Sequence, residues 1–168
     1  MIKVFLVEDE VVMRNGIKNN IPWEKEGLIF AGEASDGELA YPMIKKAQPD
    51  ILITDIRMPF MDGLELSELV KKEFPKIKII ILSGYNEFDY AKQAIHIGVT
   101  DYLLKPITAS KLLEAVKKVA DVIEKEREEE GMLERYRLEM AENTVLERQR
   151  LFRDLVTCRI NFKEALER

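Results

Sequence analysis

The stretch ILITDIRMPFMDGLEL, residues 51–66, contains the pattern that decides the fold. It opens with a short apolar run at residues 51–54, continues through an acidic and turn-forming segment, and ends at a predicted helix start. Asp62 and Glu65 have the spacing of a capping box, in which two side chains satisfy the free amides of a helix N-terminus. A strand, a loop and a capped helix in this order form one βα unit, and Asp55 is the first residue after its strand.

The same strand-then-helix pattern repeats on both sides of this unit. Each strand-like run is short and mostly apolar, as expected for strands buried on both faces of a parallel sheet. Together with residues 51–54, the predicted strands are residues 2–7, 28–34, 77–82 and 101–104. Further helix starts are predicted at Ser35 with Glu38 and at Asn86 with Asp89. The chain is therefore predicted to be an α/β protein with a five-stranded parallel sheet covered by helices.

The pattern changes after residue 108. An apolar stripe in the fifth helix continues into KEREEE, residues 125–130, and predicts a helix that extends beyond the sheet domain. A heptad count that starts at Leu113 meets charged residues at core positions, so a regular coiled coil is not indicated. Asn161 with Glu164 predicts one more helix start, and we expect the chain to end partway through an element. The predicted division is a domain at residues 1–125 and a helical extension at residues 126–168.

Composition limits the classes of protein to which the chain can belong. The net charge of −5 argues against a broad basic surface for nucleic acid. The single cysteine, Cys158, excludes an internal disulfide and fits a reducing compartment. The apolar runs are far shorter than the roughly 20 residues of a membrane helix, and the N-terminus lacks a signal-peptide pattern. We therefore predict a cytoplasmic protein with no membrane association.

Candidate site residues directly follow four of the five predicted strands. They are Glu8, Asp9, Asp55, Ser83 and Lys105. In an open parallel sheet the carboxyl ends of the strands lie at one edge, which is where ligands bind. Converging carboxylates repel one another unless they are protonated or hold a hard divalent cation, for which Mg²⁺ is the best candidate. A nucleophilic aspartate, an ammonium and a hydroxyl at this edge predict phosphoryl chemistry.

Four sequence blocks resemble the motifs of response-regulator receiver domains, the CheY-like family. They are LVEDE at residues 6–10, TDIRMPFMDGLEL at residues 54–66, LSGY at residues 82–85 and DYLLKP at residues 101–106. The blocks occur in the family's order and spacing within residues 1–125, which makes the match much more specific than one short motif. The resemblance implies a flavodoxin-like sheet of strand order 2-1-3-4-5, with helices on both faces and a helical extension after it.

The resemblance also implies roles at the acidic edge. Asp55 matches the phosphoacceptor, and Glu8 and Asp9 match the acidic pair that holds Mg²⁺. Arg57 matches the residue whose backbone carbonyl also reaches the metal, and Lys105 matches the lysine that pairs with the phosphoryl oxygens. Glu8 departs from the commoner aspartate of the family, which leaves the metal affinity open. Such a protein is not a turnover enzyme, because it only catalyses its own phosphorylation and slow dephosphorylation.

Three more positions match residues that transmit the signal. Ser83 matches the switch hydroxyl, Tyr102 the rotating aromatic, and Pro106 a proline that follows a cis peptide bond in most of the family. The resemblance implies that phosphorylation draws Ser83 inward, that Tyr102 turns, and that the face of the fourth helix, fifth strand and fifth helix changes shape. The implied partners are a sensor histidine kinase and a second copy of the chain, bound through the extension or this face.

The output is predicted from two further segments. SGYNEFDYAKQAI at residues 83–95 and LFRDLVTCRI at residues 151–160 resemble the N-terminal part of YesN-like response regulators of the AraC family. That resemblance implies transcription regulation, with DNA bound only through a C-terminal domain absent from this sequence. A receiver with an output that does not bind DNA is the alternative.

Two other protein classes share parts of this pattern. Haloacid-dehalogenase-like phosphatases use an aspartate nucleophile and Mg²⁺, but they need a second aspartate where this chain has Arg57. Flavodoxin-like cofactor binders share the topology, but an acidic pocket would repel a flavin phosphate. A steady-state phosphatase assay separates the first of these classes from a receiver.

Overall fold

The computed structural model describes residues 1–84 and 88–166. By its internal contacts the chain divides into two compact units, Met1–Ile123 and Glu124–Arg168. The first unit contains the sheet and every predicted site residue. The helix start predicted at Asn86 lies outside the described residues.

Within the described residues, five parallel strands form one sheet of order β2-β1-β3-β4-β5. Their bounds are β1 Ile2–Val7, β2 Leu28–Ala34, β3 Ile51–Asp55, β4 Lys78–Ser83 and β5 Asp101–Leu104. The predicted fold class and strand order are confirmed. Two strands extend one residue further than predicted, because Asp55 pairs with Leu82 and Ser83 pairs with Leu104 in the ladders. Asp55 and Ser83 are therefore strand residues, and the sheet fixes the backbone that carries their side chains.

Helices cover both faces of this sheet. Their bounds are α1 Val11–Asn20, α2 Gly37–Ala47, α3 Gly63–Glu73, α4 Phe88–Ile97 and α5 Ala109–Leu166. Successive residues of a strand point to opposite faces, so Ile53 packs with α1 and the start of α5, whereas Leu52 packs with α2, α3 and α4. Both strand residues are fully buried. Two apolar layers hold the sheet rigidly and fix the positions of its strand ends.

The helix caps agree with the sequence at one of the two testable positions. Asp62 caps α3, and Glu65 completes the predicted capping box. At α2 the prediction of Ser35 is wrong, because Asp36 is the cap and its carboxylate accepts a hydrogen bond from the Leu39 amide at 2.9 Å. A carboxylate is a stronger acceptor for helix amides than a hydroxyl.

The helix α5 continues past the first unit into a helical extension, as predicted. The helix start predicted at Asn161 is wrong, because the backbone is helical on both sides of that residue. No proline interrupts residues 109–166, so the chain has no obligatory break there. Among the described helices, none has the long apolar run that a membrane span requires.

Candidate acidic site at the carboxyl edge of the sheet

The topology brings three carboxylates together. β1 and β3 are neighbours in the sheet, with Val7 paired to Thr54, so the residues that follow β1 lie beside the end of β3. One carboxylate oxygen from each of Glu8, Asp9 and Asp55 lies within 4.8 Å of the others. Glu8 and Asp55 are buried, and Asp9 is the most accessible of the three.

Lys105 provides the positive charge of this cluster. It follows β5, and its amide donates to the Ser83 carbonyl at 2.7 Å, which continues the ladder past the last strand residue. Its ammonium donates to Glu8 Oε2 at 2.9 Å and lies 3.2 Å from Asp55 Oδ2. The Lys105–Pro106 peptide bond is cis, as the resemblance implied. One ammonium thus bridges two acids, one directly after β1 and the other at the end of β3.

Burial dominates the electrostatics of the two buried acids. It raises the pKa of Glu8 and the pKa of Asp55, because desolvation disfavours the ionised form more than the Lys105 charge favours it. Burial alone would lower the pKa of Lys105, but its hydrogen bond with Glu8 and the charges of Asp55 and Glu8 raise it. The ammonium is therefore firmly protonated, while the acids lack sufficient counter-charge.

The donor set fits Mg²⁺. Three ionised carboxylates against one ammonium leave two negative charges, which a divalent cation would balance. All three candidate ligands offer oxygen, the donor that hard cations such as Mg²⁺ prefer. The predicted ligand residues Glu8, Asp9 and Asp55 are therefore brought together in a form suited to the ion.

The other predicted residues lie at the end of β4, on β5 and shortly after β3. Ser83 ends β4 and is buried. Tyr102 pairs with Ile81 across the β4–β5 ladder and packs against the core on the α4 side. Its hydroxyl is buried and has no hydrogen-bond partner within the described part of the chain. Arg57 follows β3, with its guanidinium over the ring of Tyr90 at 5.9 Å. The metal contact of the Arg57 carbonyl stays a prediction.

Sequence reasoning missed the structural importance of Gly63. Its amide donates to the Ile56 carbonyl at 2.9 Å, so the start of α3 folds back against the end of β3. A Cβ at this position would lie 1.8 Å from the carbonyl oxygen of Asp55. The only signal in the sequence is a glycine directly after the helix cap Asp62, which indicates a close backbone approach but not its partner.

Sequence reasoning also missed Arg14. Its guanidinium Nη1 donates to the backbone carbonyl of Glu8 at 2.6 Å. Arg14 lies about one helical turn into α1, so the sequence could have indicated a basic side chain near the acidic loop. The pattern alone does not show in which direction that side chain points.

Comparison with known proteins agrees with this geometry. Residues 4–117 match the family model described as the response regulator receiver domain. The transcriptional regulatory protein YesN of Bacillus subtilis is 41% identical over 119 residues, which are 71% of this chain and 32% of that protein. The chain thus spans about a third of the length of that relative.

Solved structures of other proteins share this fold. The receiver domain of AraT from Geobacillus stearothermophilus has 39% identity and a TM-score of 0.70, covering 74% of this chain and 97% of that one. A two-component transcriptional regulator AraC from Clostridium phytofermentans has 31% identity and a TM-score of 0.66, covering 76% of this chain and 98% of that one. By its sequence match, its strand order and its acidic edge, the chain belongs to the response regulator receiver domain family.

Proposed function

We propose that this chain is the receiver of a phosphorelay response regulator, and that Asp55 accepts a phosphoryl group from a sensor histidine kinase in the cytoplasm. The observation that supports this most directly is the cluster of Glu8, Asp9 and Asp55 with Lys105 at one sheet edge. A nucleophilic carboxylate beside a fixed ammonium, with two more carboxylates placed to hold a divalent cation, suits the transfer of an anionic group onto Asp55.

The reaction is a displacement at phosphorus. A carboxylate oxygen of Asp55 forms a bond to phosphorus while the bond from phosphorus to the histidine nitrogen breaks. The electron pair of the broken bond stays on that nitrogen, which takes up a proton as the kinase histidine leaves. The product is an aspartyl phosphate on Asp55, so one group moves and no redox step is needed.

The other residues of the site have proposed roles in binding Mg²⁺ and the phosphoryl group. Glu8, Asp9, Asp55 and the carbonyl of Arg57 are the proposed Mg²⁺ ligands. When bound, Mg²⁺ supplies charge that offsets the negative charge of the phosphoryl oxygens. The ammonium of Lys105 lies 3.2 Å from Asp55 Oδ2. From this position it pairs with the oxygens of the phosphoryl group that Asp55 accepts.

Signal transmission is proposed to pass through Ser83 and Tyr102. Ser83 donates a hydrogen bond to the phosphoryl group, and Tyr102 turns into the space that Ser83 vacates. The buried hydroxyl of Tyr102 makes no hydrogen bond among the described residues, so the ring loses none when it rotates. The face formed by α4, β5 and the start of α5 then changes its shape.

The rim of the acidic site offers contacts for the kinase. Val11 and Val12, at the start of α1, are 57% and 85% exposed, and Phe60, in the loop after β3, is 81% exposed. Large apolar side chains that stay in water beside a reactive site are typical of a surface for a protein partner. We propose that the kinase contacts these side chains when its phosphohistidine approaches Asp55.

The second unit is proposed to dimerise. Its described helix exposes many apolar side chains, and Val145, Phe152 and Val156 border one groove along its surface. A helix with an apolar side and no core of its own is stabilised when a second helix covers that side. We propose a second copy of this chain as the partner, through this unit or through the α4–β5–α5 face.

The output is proposed from the relatives. YesN is named a transcriptional regulatory protein, and its similarity to this chain covers 32% of its length. We therefore propose that a longer form of this protein controls transcription through an AraC-type DNA-binding domain. A receiver with an output that does not bind DNA is the alternative.

The phosphoacceptor is tested by substituting one carboxylate. Wild type incubated with acetyl phosphate and Mg²⁺ should gain one phosphoryl group, detected by intact mass spectrometry. Asp55→Asn should gain none, because the amide is not a nucleophile. Asp121→Asn, an equal change at an exposed position of α5, should be labelled like wild type. A phosphoryl group on the Asp55→Asn protein would refute the assignment.

The enzyme alternative is tested in parallel. A receiver is expected to release phosphate slowly and only from its own aspartyl phosphate. Steady turnover of a phosphate ester such as p-nitrophenyl phosphate, abolished by Asp55→Asn, would instead support a phosphatase.

A further inference from the structure

The loop that holds two of the proposed metal ligands is short and strongly tethered. The Glu8 amide donates to the Ala34 carbonyl at 3.1 Å, and the Glu10 amide donates to the Glu8 carboxylate at 3.3 Å. Among the described residues, no backbone amide of a neighbouring strand donates to the Glu8 carbonyl. The Arg14 guanidinium donates to this carbonyl at 2.6 Å.

Arg14 is itself fixed on two sides. Its backbone amide donates to the Glu10 carbonyl at 2.9 Å, so the residue belongs to the first hydrogen-bonded turn of α1. Its Nε lies 4.0 Å from Glu33 Oε1 on the edge strand β2, and only 16% of its side chain is exposed. Lys18, one turn further along α1, lies 3.4 Å from the other Glu33 oxygen. The guanidinium is thereby held between β2 and the acidic loop.

We propose that Arg14 is a positioning residue, which holds the loop of Glu8 and Asp9 in the arrangement that binds Mg²⁺. This inference rests on the proposed function. The described contacts of Arg14 are with a backbone carbonyl and with Glu33, so it acts on the ligands through the backbone and does not touch the reacting atoms. A charged donor makes a strong, directional hydrogen bond, which fixes the peptide plane between Glu8 and Asp9.

Positioning and simple electrostatics predict effects of opposite sign. Removal of a positive charge near a cation site would, by charge alone, strengthen cation binding. Removal of a group that orients metal ligands weakens metal binding, by about 10- to 100-fold for outer partners of this kind. The sign of the change in Mg²⁺ affinity therefore separates the two roles.

The test measures Mg²⁺ binding to the unphosphorylated full chain by isothermal titration calorimetry with MgCl₂. Arg14→Met keeps the apolar stem of the side chain and removes the donor, and it should weaken binding at least about tenfold. Arg14→Lys should recover part of the affinity, because its ammonium can still donate to the Glu8 carbonyl. Lys18→Met removes the same charge from the same face of α1 without a bond to the loop, and its affinity should equal or exceed that of wild type.

Circular dichroism at the titration temperature establishes that each variant is folded before its affinity is compared. Equal or tighter Mg²⁺ binding by Arg14→Met would overturn the inference while leaving the metal site intact. Equal losses in Arg14→Met and Lys18→Met would also overturn it, because the effect would not depend on the bond to Glu8. A wild-type chain that binds no Mg²⁺ would refute the metal site of the proposed function, and the inference with it.

Discussion

Gly63→Ala tests how closely α3 must approach the end of β3. The added Cβ would lie 1.8 Å from the Asp55 carbonyl oxygen, 2.8 Å from its carbonyl carbon and 3.1 Å from the Ile56 Cα. All three neighbours are backbone atoms, of the last residue of the buried strand β3 and of the residue after it, so no flexible side chain can move aside. Carbon and oxygen in ordinary contact lie about 3.3 Å apart. The start of α3 must therefore retreat from Asp55 by roughly 1.5 Å.

The expected loss of stability follows from this displacement. Overpacking against a rigid neighbour costs about 1–3 kcal/mol, and the shift also breaks the 2.9 Å hydrogen bond from Gly63 to Ile56, worth about 1 kcal/mol. We expect Gly63→Ala to lower the free energy of unfolding by about 3 kcal/mol. The segment between Asp55 and α3 must follow this shift, and it contains Arg57, whose carbonyl is a proposed metal ligand. Misplacement by about 1 Å near a site can slow a reaction by about 100-fold, so labelling of Asp55 should slow by up to a similar factor.

Urea denaturation, followed through the fluorescence of Trp23, measures this loss. Trp23 is the only tryptophan, and it is buried in the first unit, so it reports on the sheet domain. The control is Gly16→Ala in α1, where the nearest atom to an added Cβ is Asn20 Nδ2 at 3.9 Å. The control should gain about 0.5–1 kcal/mol from the lower flexibility of alanine. A Gly63→Ala protein within 1 kcal/mol of wild type would refute this, because it would show that the end of β3 accommodates a Cβ at residue 63 without strain.

Three further predictions concern the buried acids, the switch residue and the extension. Because burial raises the pKa values of Glu8 and Asp55, the folded chain retains protons that the unfolded chain has lost, and its stability falls as pH rises above about 4. Asp55→Asn should therefore raise the free energy of unfolding at pH 7 and weaken its pH dependence, and urea titrations that show a less stable variant would contradict this. Tyr102→Phe removes a buried hydroxyl without a described partner and should raise stability by up to about 1 kcal/mol, whereas a loss in the same titration would reveal a hydrogen bond. Phe152→Glu should shift the chain toward monomers in sedimentation, while Asn143→Glu on the opposite side of the helix should not, and monomeric wild type at high concentration, with and without a phosphoryl mimic, would exclude a dimer.

The sequence by itself determined the fold class. Apolar strands alternating with capped amphipathic helices predict a parallel sheet, because only burial on both faces accommodates runs such as residues 77–82. It also determined which residues meet, since polar residues placed directly after strands must lie at one edge of such a sheet. Glu8, Asp55 and Lys105 could therefore be assigned to one site before their distances were known.

Only the tertiary structure decided how those residues act on one another. The bond from Lys105 to Glu8 joins residues 97 positions apart, and the pKa values of both acids depend on burial that no local pattern encodes. Local patterns also failed at Ser35, where the neighbouring carboxylate of Asp36 caps the helix, and at Asn161, where the helix simply continues.

Gly63 and Arg14 are residues whose structural roles local sequence patterns did not indicate. Their importance lies in a backbone carbonyl that each approaches, at Asp55 and at Glu8, and a carbonyl is present at every residue of any sequence. Sequence patterns report side-chain chemistry and its period along the chain. The close approach of one backbone segment to another is set by the packing of helices on the sheet, which only the folded chain fixes.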